Sequence, residues 1–255
     1  MKSKIILVSL VITFSTLAMA SHVAFADETP QEKNWEFNLS PLYIWATKVE
    51  GDATLGPKTK STKVDFDEIF DNVEGAFTIN FSGLHKSNFG FVFDFIYLDI
   101  SADQDTDLGT GLDVGLKEIV SQFAGTYRFG SEYHSFDAIA GIRYLNVEVD
   151  LDFKSLPISE SEKTDILDPI IGGRYNWKFA DKWNLRLYGD IGGFGVGSDF
   201  TWQALGVIDF WPWKHVGFSG GYRALDYRLE DNKGASKFEL DLLLHGPILG
   251  LSFRW

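Results

Sequence analysis

The chain has 255 residues and no cysteine, and its 36 acidic residues against 23 lysines and arginines give a net charge of −13. This acid excess argues against a nucleic-acid partner, since phosphate backbones are bound by basic surfaces, and the lack of cysteine excludes disulfides, thiolate metal sites and cysteine nucleophiles. The length, with 22 Phe, 9 Tyr, 8 Trp and 25 Gly, suits one large β-domain.

The first segment has the features of a secretory signal peptide. Lys2 and Lys4 form a positive start, residues 5–20 are apolar and uncharged, and Ala24-Phe25-Ala26 offers a small-x-small cleavage site. The apolar run is too short for a membrane span, and a polar stretch follows it. We therefore predict a cleaved signal peptide over 1–26 and a short periplasmic segment over 27–34. Since no later stretch has the about 20 apolar residues of a membrane helix, a membrane form of this chain has to be a barrel.

The rest of the chain alternates between apolar and polar side chains, which is the period of strands with two different faces. Ten such segments occur, at 35–49, 74–86, 89–100, 113–129, 135–150, 165–179, 183–192, 200–210, 216–228 and 238–255. In the first, Trp35, Phe37, Leu39, Tyr43 and Trp45 are predicted to share one face. Alternation is a weak signal in one segment and a strong one when it recurs. An all-β, antiparallel up-and-down transmembrane barrel of about ten strands over 35–255 is predicted, with eight or twelve strands as alternatives.

The connections between these segments alternate in length. Short ones lie at 86–88, 130–134, 180–182 and 212–215, whereas 50–73, 101–112, 151–164, 193–199 and 229–236 are longer and more polar. Outer-membrane barrels have short periplasmic turns and longer outer loops, and an even number of strands leaves both termini in the periplasm. We expect the same orientation here.

Charged side chains recur on the polar faces of the strands, where they would point into the lumen. They are Asp94, Asp137, Asp168, Asp190, Arg143, Arg174, Arg186 and Arg223. A ten-stranded barrel is little wider than the eight-stranded size that side chains fill, and buried charges must pair. We predict an ion-pair network in the lumen, which either lines a narrow porin-like path for small polar solutes or fixes a closed scaffold.

The first long connection contains a short amphipathic segment. Acidic side chains flank apolar ones at helix-like spacing in this segment, which consists of Phe66, Asp67, Glu68, Ile69, Phe70 and Asp71. This segment could cap the barrel mouth, or it could be a solvated acidic loop. Its carboxylates fit no metal-loop spacing, so neither a metal site nor a cofactor is predicted.

Catalytic motifs such as GxSxG and HExxH do not occur in the sequence. The histidines are His22 in the signal peptide, His85, His134 and His215 at or beside short turns, and His245 within a strand. The glycine-rich run 192–197 is not followed by the helix that a phosphate-binding loop needs. A protein without enzymatic activity is therefore predicted.

The last strand ends on an aromatic residue, with Leu251, Phe253 and Trp255 on one face and Gly250 on the other. It resembles the closing strand of bacterial outer-membrane barrels, whose terminal aromatic is read by the barrel-assembly machinery; these four residues would form that signal. The runs 64–70, 190–204 and 246–253 resemble an uncharacterised outer-membrane barrel family, grouped loosely with opacity-like surface antigens and outer-membrane protein W.

The resemblance covers most of the mature chain and implies a small monomeric barrel in a Gram-negative outer membrane, in contact with lipid and lipopolysaccharide. It implies no substrate and no catalytic residues. Other functions stay open: a surface adhesin acting through loops 50–73 and 151–164, a barrel enzyme acting on lipid A or peptides at the outer rim, and a soluble periplasmic or lipocalin-like binder.

Overall fold

The computed structural model describes residues 34–55, 58–64, 72–105, 111–153, 159–231 and 238–255. The predicted signal peptide and nearly all of the segment after it lie outside the described residues. So do the predicted mouth-capping residues Phe66, Asp67, Glu68, Ile69, Phe70 and Asp71.

The described chain folds into antiparallel strands that form one sheet. They are β1 (Trp35–Trp45), β2 (Lys48–Leu55), β3 (Lys58–Val64), β4 (Val73–His85), β5 (Phe89–Asp105), β6 (Gly111–Gly130), β7 (His134–Phe153), β8 (Ser159–Ala180), β9 (Trp183–Gly193), β10 (Phe200–Phe210), β11 (Val216–Asp231) and β12 (Phe238–Arg254). The sheet closes because β1 pairs with both β4 and β12. Across these ranges there is no helix long and apolar enough to span a membrane.

The twelve strands make ten positions around the barrel. Strands β1 and β2 pair with β12 in one register, with Trp45 opposite Ile248 and Lys48 opposite His245, so they form one wall position. Strands β3 and β4 likewise share a position, since β3 pairs with β2 and β4 with β1. The predicted closed antiparallel barrel of ten strands is confirmed.

Several strands run further than the alternation predicted. The segment expected to be a loop over 50–73 contains the end of β2 and all of β3, which form a hairpin with Leu55 opposite Lys58. Similarly, β5 continues to Asp105 and β7 to Phe153. The sequence of β3, KTKSTKV, is almost entirely polar, so ladder hydrogen bonds continue where the apolar period has ended.

The first strand contains a β-bulge that reverses its faces. The register of β1 against β12 shifts between Leu39 and Leu42, around Pro41, which has no N–H to donate to the ladder. One inserted residue moves every later side chain to the opposite face. The prediction that Tyr43 and Trp45 share the outer face of the strand's start is therefore wrong, because both pack inside the barrel.

The two ends of the barrel differ. The turn end carries the short connections 86–88, 131–133, 181–182 and 211–215 together with Asn34 and Trp255; the opposite end is the loop end. Large apolar side chains are exposed on the outer wall between them, including Phe77, Phe123, Ile142, Ile171, Leu187, Ile208 and Leu249.

An apolar layer crosses the middle of the lumen. Its buried members are Ile96, Val120, Leu145, Ile166, Leu225, Tyr227 and Leu244, and Tyr43 and Trp45 pack against them. They come from β5, β6, β7, β8, β11 and β12, so inward-facing side chains from most of the wall meet at one level. Small barrels are filled by side chains in this way.

Candidate functional site

The lumen on the turn-end side of the apolar layer is filled by arginine–aspartate pairs. The deepest is Arg143 with Asp190: Nη2 of Arg143 donates to the two carboxylate oxygens at 2.7 and 2.6 Å, and both side chains are fully buried. Gln122 Oε1 accepts from Nε and Nη2 of the arginine at 3.2 and 2.9 Å, and Tyr188 donates to Asp190. These charge-assisted hydrogen bonds compensate the cost of removing both charges from water.

Arg223 and Asp94 form a second pair. Nη1 of Arg223 donates to Asp94 at 2.9 Å, and Nε donates to Gln203 at 3.0 Å. The hydroxyl of Tyr43 donates to Asp94 at 3.0 Å, and the ring of Trp45 lies 4.8 Å from the guanidinium. The bulge in β1 places both aromatic side chains here, where they supply a hydrogen bond and a cation–π contact.

Nearer the turn end, one carboxylate serves two guanidinium groups. Asp137 is fully buried and accepts from Arg128 Nε at 2.6 Å and from Arg174 Nε at 2.8 Å. A separate pair joins Arg186 Nη2 to Asp209 at 3.0 Å.

Seven of the eight predicted lumen charges lie in these pairs, namely Asp94, Asp137, Arg143, Arg174, Arg186, Asp190 and Arg223. Asp168 is the exception. It accepts from the backbone N–H and the hydroxyl of Ser198, both at 2.7 Å. Although Arg143 is its cross-strand neighbour, two donors from Ser198 satisfy the Asp168 carboxylate, and Arg143 turns to Asp190 instead.

The contact with Asp168 holds the connection between β9 and β10 against the barrel. This connection turns tightly at Gly193, Phe194 and Gly195, all with positive φ. A Cβ at Gly197 would collide with atoms of Ile166, Leu167 and Asp168, so its backbone packs directly on β8. The glycine-rich run therefore packs beside Ile166 of the apolar layer, towards the loop end.

Sequence reasoning missed several members of the network. Arg128 and Gln122 alternate with the outward Phe123 and Phe129 of β6, so period two alone could have found them. Asp209 alternates in the same way with Ile208. The inward position of Tyr43 carried no such signal, because the bulge that turns it inward follows from pairing with β12.

A cavity of about 90 Å³ lies within this network, and we call it the turn-end cavity. Among its lining residues are Asp94, Arg174, Arg186, Tyr188, Ser219 and Arg223. The cavity sits on the turn-end side of the apolar layer, and its walls combine three arginines with one carboxylate.

The predicted assembly signal lies at the turn end. The ring of Trp255 lies 5.7 Å from that of Phe37, and the two residues exchange backbone hydrogen bonds of 3.1 Å. Leu251 and Phe253 continue β12 on its outer face, while Gly250 lines the turn-end cavity.

No group of three or more potential metal ligands occurs within the ranges that the structure describes. The arrangement is a closed antiparallel β-barrel with a paired, charged interior and an apolar outer wall, which defines the class of outer-membrane-type barrels.

Among known proteins, a solved structure with a TM-score above 0.5 has the same fold. No protein-family model and no curated protein matches the chain. The outer membrane protease OmpT of Escherichia coli has a similar fold, with a TM-score of 0.56 and 8% identity over 90% of this chain and 100% of that one. Ail, the attachment invasion locus protein of Yersinia pestis, gives a TM-score of 0.40 and 11% identity over 88% and 100%. The outer membrane protein OprG of Pseudomonas aeruginosa gives a TM-score of 0.37 and 11% identity over 89% of this chain and 99% of that one.

OmpT is an outer-membrane protein by name, and its fold agrees with the barrel that the sequence resemblance implied. At such low identity, the likeness to OmpT shows the fold of this chain and carries no information on its activity.

Proposed function

We propose that the protein is a non-enzymatic barrel of the bacterial outer membrane whose lumen is closed and whose turn end faces the periplasm. The outer wall supports a lipid environment, since Phe123, Ile171 and Leu187 are exposed by 54%, 53% and 46%. Soluble monomers rarely expose a continuous apolar surface of this kind, whereas acyl chains solvate it. Lipid and lipopolysaccharide are then its immediate partners. Because the wall closes within one chain where β1 pairs with β4 and β12, no second subunit is needed to complete it; among the described strands β3 alone, towards the loop end, pairs on one side only.

The lengths of the connections support the proposed orientation. The connections at the turn end are tight, and Asn34 and Trp255 lie beside them. In bacterial outer-membrane barrels the short turns and the termini are periplasmic.

One observation carries the proposal of a closed scaffold, namely the apolar layer across the lumen. Val120, Leu145 and Leu225 in this layer are at most 3% exposed. An ion would have to lose its hydration shell to pass between such side chains, and the layer offers few polar groups in exchange. The ion pairs on the turn-end side of the layer fix the strand register in the same region.

The positions of the histidines support a protein without catalysis. His85, His134 and His215 hydrogen-bond to Ser87, to Tyr175 and to the carbonyl of Arg254, all near the turn end. His245 contacts Tyr222 on the outer wall. Turnover of peptides or lipid A by the purified protein that disappears in His245→Gln would contradict this part of the proposal.

Electrical silence is the first prediction. Purified protein in planar bilayers should carry no steady ionic current, because the apolar layer blocks the lumen. The triple variant Leu145→Ala/Ile166→Ala/Leu225→Ala thins that layer and should conduct. The matched control Ile142→Ala/Leu187→Ala/Ile208→Ala removes comparable side chains from the outer wall and should stay silent. A steady current through the unmodified protein would reject the closed scaffold; heat-modifiable migration on gels verifies that each variant has folded.

We also propose that Gly250, Leu251, Phe253 and Trp255 are read by the barrel-assembly machinery. In Trp255→Ala, the fraction of heat-modifiable protein in the outer membrane of cells should fall several-fold. Refolding of the same variant from urea into detergent should keep its yield, because recognition and not stability is lost.

The matched control for this prediction is Trp183→Ala. Trp183 stacks on Phe210 at 4.4 Å between ring centroids, so its removal costs similar aromatic packing at the same end of the barrel. Assembly in cells should be normal in this variant. Equal losses in the two variants, both in cells and in detergent, would show that Trp255 acts through packing alone.

A further inference from the structure

Around the turn-end cavity and from there to the turn end, the lumen holds more guanidinium than carboxylate groups. The ion-paired members of this part are Arg128, Arg174, Arg186, Arg223, Asp94, Asp137 and Asp209. Deeper, beside the apolar layer, Arg143 pairs with Asp190 and lies opposite the buried Asp168. The surplus arises at Asp137, which two arginines share. Glu118 lies beyond Val120 on the loop-end side, and Glu36 and Arg254 interact with each other at the rim. The positive surplus is therefore local to the turn-end part of the lumen, and Asp168 offsets it at the level of Arg143.

The unused hydrogen-bonding capacity near the cavity also belongs to the cations. Asp94 and Asp209 each accept hydrogen bonds from three side chains. Arg186 lines the cavity, and its Nε is buried without a hydrogen-bond partner among the described residues. A buried donor left unsatisfied costs about 1–3 kcal/mol, which an anionic acceptor in the cavity would recover.

Access to the cavity comes from the turn end. The exposed fraction of the arginine side chains rises in that direction, from 0% at Arg143 and 4% at Arg223 to 14% at Arg174, 24% at Arg186 and 28% at Arg128. On the opposite side the apolar layer closes the cavity. A ligand that enters from the turn end would therefore contact the three arginines and could not pass beyond the apolar layer.

We propose that the turn-end cavity binds a small, singly charged oxyanion, such as a short carboxylate or nitrate. One water needs about 10–15 Å³ of such space, so the cavity's volume suits roughly six waters or a small polyatomic ion. Guanidinium groups match the planar geometry of carboxylate-like anions. One negative charge balances the surplus at Asp137, whereas a second would stay uncompensated in a poorly hydrated site.

The anion site extends the function proposed above, because it names a ligand for the periplasmic side of the closed barrel. It rests on the closure of the lumen by the apolar layer. Its test is carried out in detergent and is independent of conductance. A steady current with intact anion binding would reject the closed scaffold alone, and silence without saturable binding would reject the anion site alone.

The test measures ¹³C-acetate line broadening on folded protein, at an ionic strength held constant with a sulfonate buffer too bulky for the cavity. Arg128→Gln removes the surplus charge and leaves Asp137 paired with Arg174, so acetate should bind about tenfold more weakly. Arg186→Gln removes a guanidinium from the cavity wall, while Asn184 and Ser219 still donate hydrogen bonds to Asp209. This variant should weaken acetate binding to a similar extent. The control Lys178→Gln removes a charge at the same rim from an exposed pair with Glu132. Its affinity should change by less than about twofold.

Saturable broadening in the unmodified protein, lost in the two arginine variants and kept in the control, is the expected result. Sulfate should displace acetate less effectively than nitrate does. Broadening that never saturates, that is equal in all variants, or that sulfate suppresses best would overturn the proposal. Heat-modifiable migration verifies the fold of each variant before titration.

Discussion

Replacing Asp190 with asparagine is expected to lower the free energy of unfolding by about 3–5 kcal/mol, because it leaves a buried guanidinium without its counter-charge. Arg143 donates to both oxygens of Asp190, and both side chains are 0% exposed. Asparagine keeps the size of the side chain and one acceptor, so the loss reports mainly the missing charge. Urea unfolding in lipid or detergent, followed by the heat-modifiable band, measures it.

The double variant Arg143→Met/Asp190→Asn removes both charges and should recover most of that loss, since an uncharged interior avoids the desolvation of the ions. The control is Glu132→Gln. Lys178 Nζ lies 2.7 Å from Glu132 and holds the pKa of that carboxyl below its usual value, but the pair is exposed, so stability should hardly change. If the double variant were less stable than Asp190→Asn, the pair would be a net source of stability and this reasoning would fail.

The separation of apolar from polar surroundings by the barrel wall also determines how much of the fold can be predicted from the sequence. Period-two alternation identifies strands that separate an apolar from a polar environment, so it found all ten wall positions and most of the lumen charges. It stops where both faces of a strand are polar, which is why β3 and the loop-end parts of β5 and β8 were expected to be loops. The end of β7 still alternates, and only the boundary of the predicted segment differs there. These extensions are held by backbone pairing with neighbouring strands.

The partners of each charge could not be predicted, since they depend on how the strands are staggered around the closed barrel. Arg143 faces Asp168 across β7 and β8, yet its guanidinium reaches Asp190 on the next strand. Likewise, Arg223 on β11 meets Asp94 on β5, and the two are 129 residues apart in the chain. Local sequence contains the charges, whereas closure decides which of them meet.

Gly221 and Gly220 provide the sharpest test of packing inside the barrel, because they are neighbours in β11 that face opposite sides. A Cβ at Gly221 would meet Val207 Cα at 2.8 Å and collide with the carbonyl of Gly206, and this backbone cannot move without breaking the ladder between β10 and β11. Gly221→Ala should therefore destabilise by an amount at or above the upper end of about 1–3 kcal/mol.

Gly220→Ala is the matched control, since its Cβ would lie 3.6 Å from Leu249 Cδ2 on the outer wall, an ordinary contact with a flexible side chain. Its unfolding midpoint in urea should stay close to that of the unmodified protein. Both substitutions change the same residue type in the same strand, so any difference between them reports the crowding of the inner face. Equal stability of the two variants would mean that β11 can shift at no cost, and the rigid, side-chain-filled lumen inferred from the apolar layer and the ion pairs would have to be abandoned.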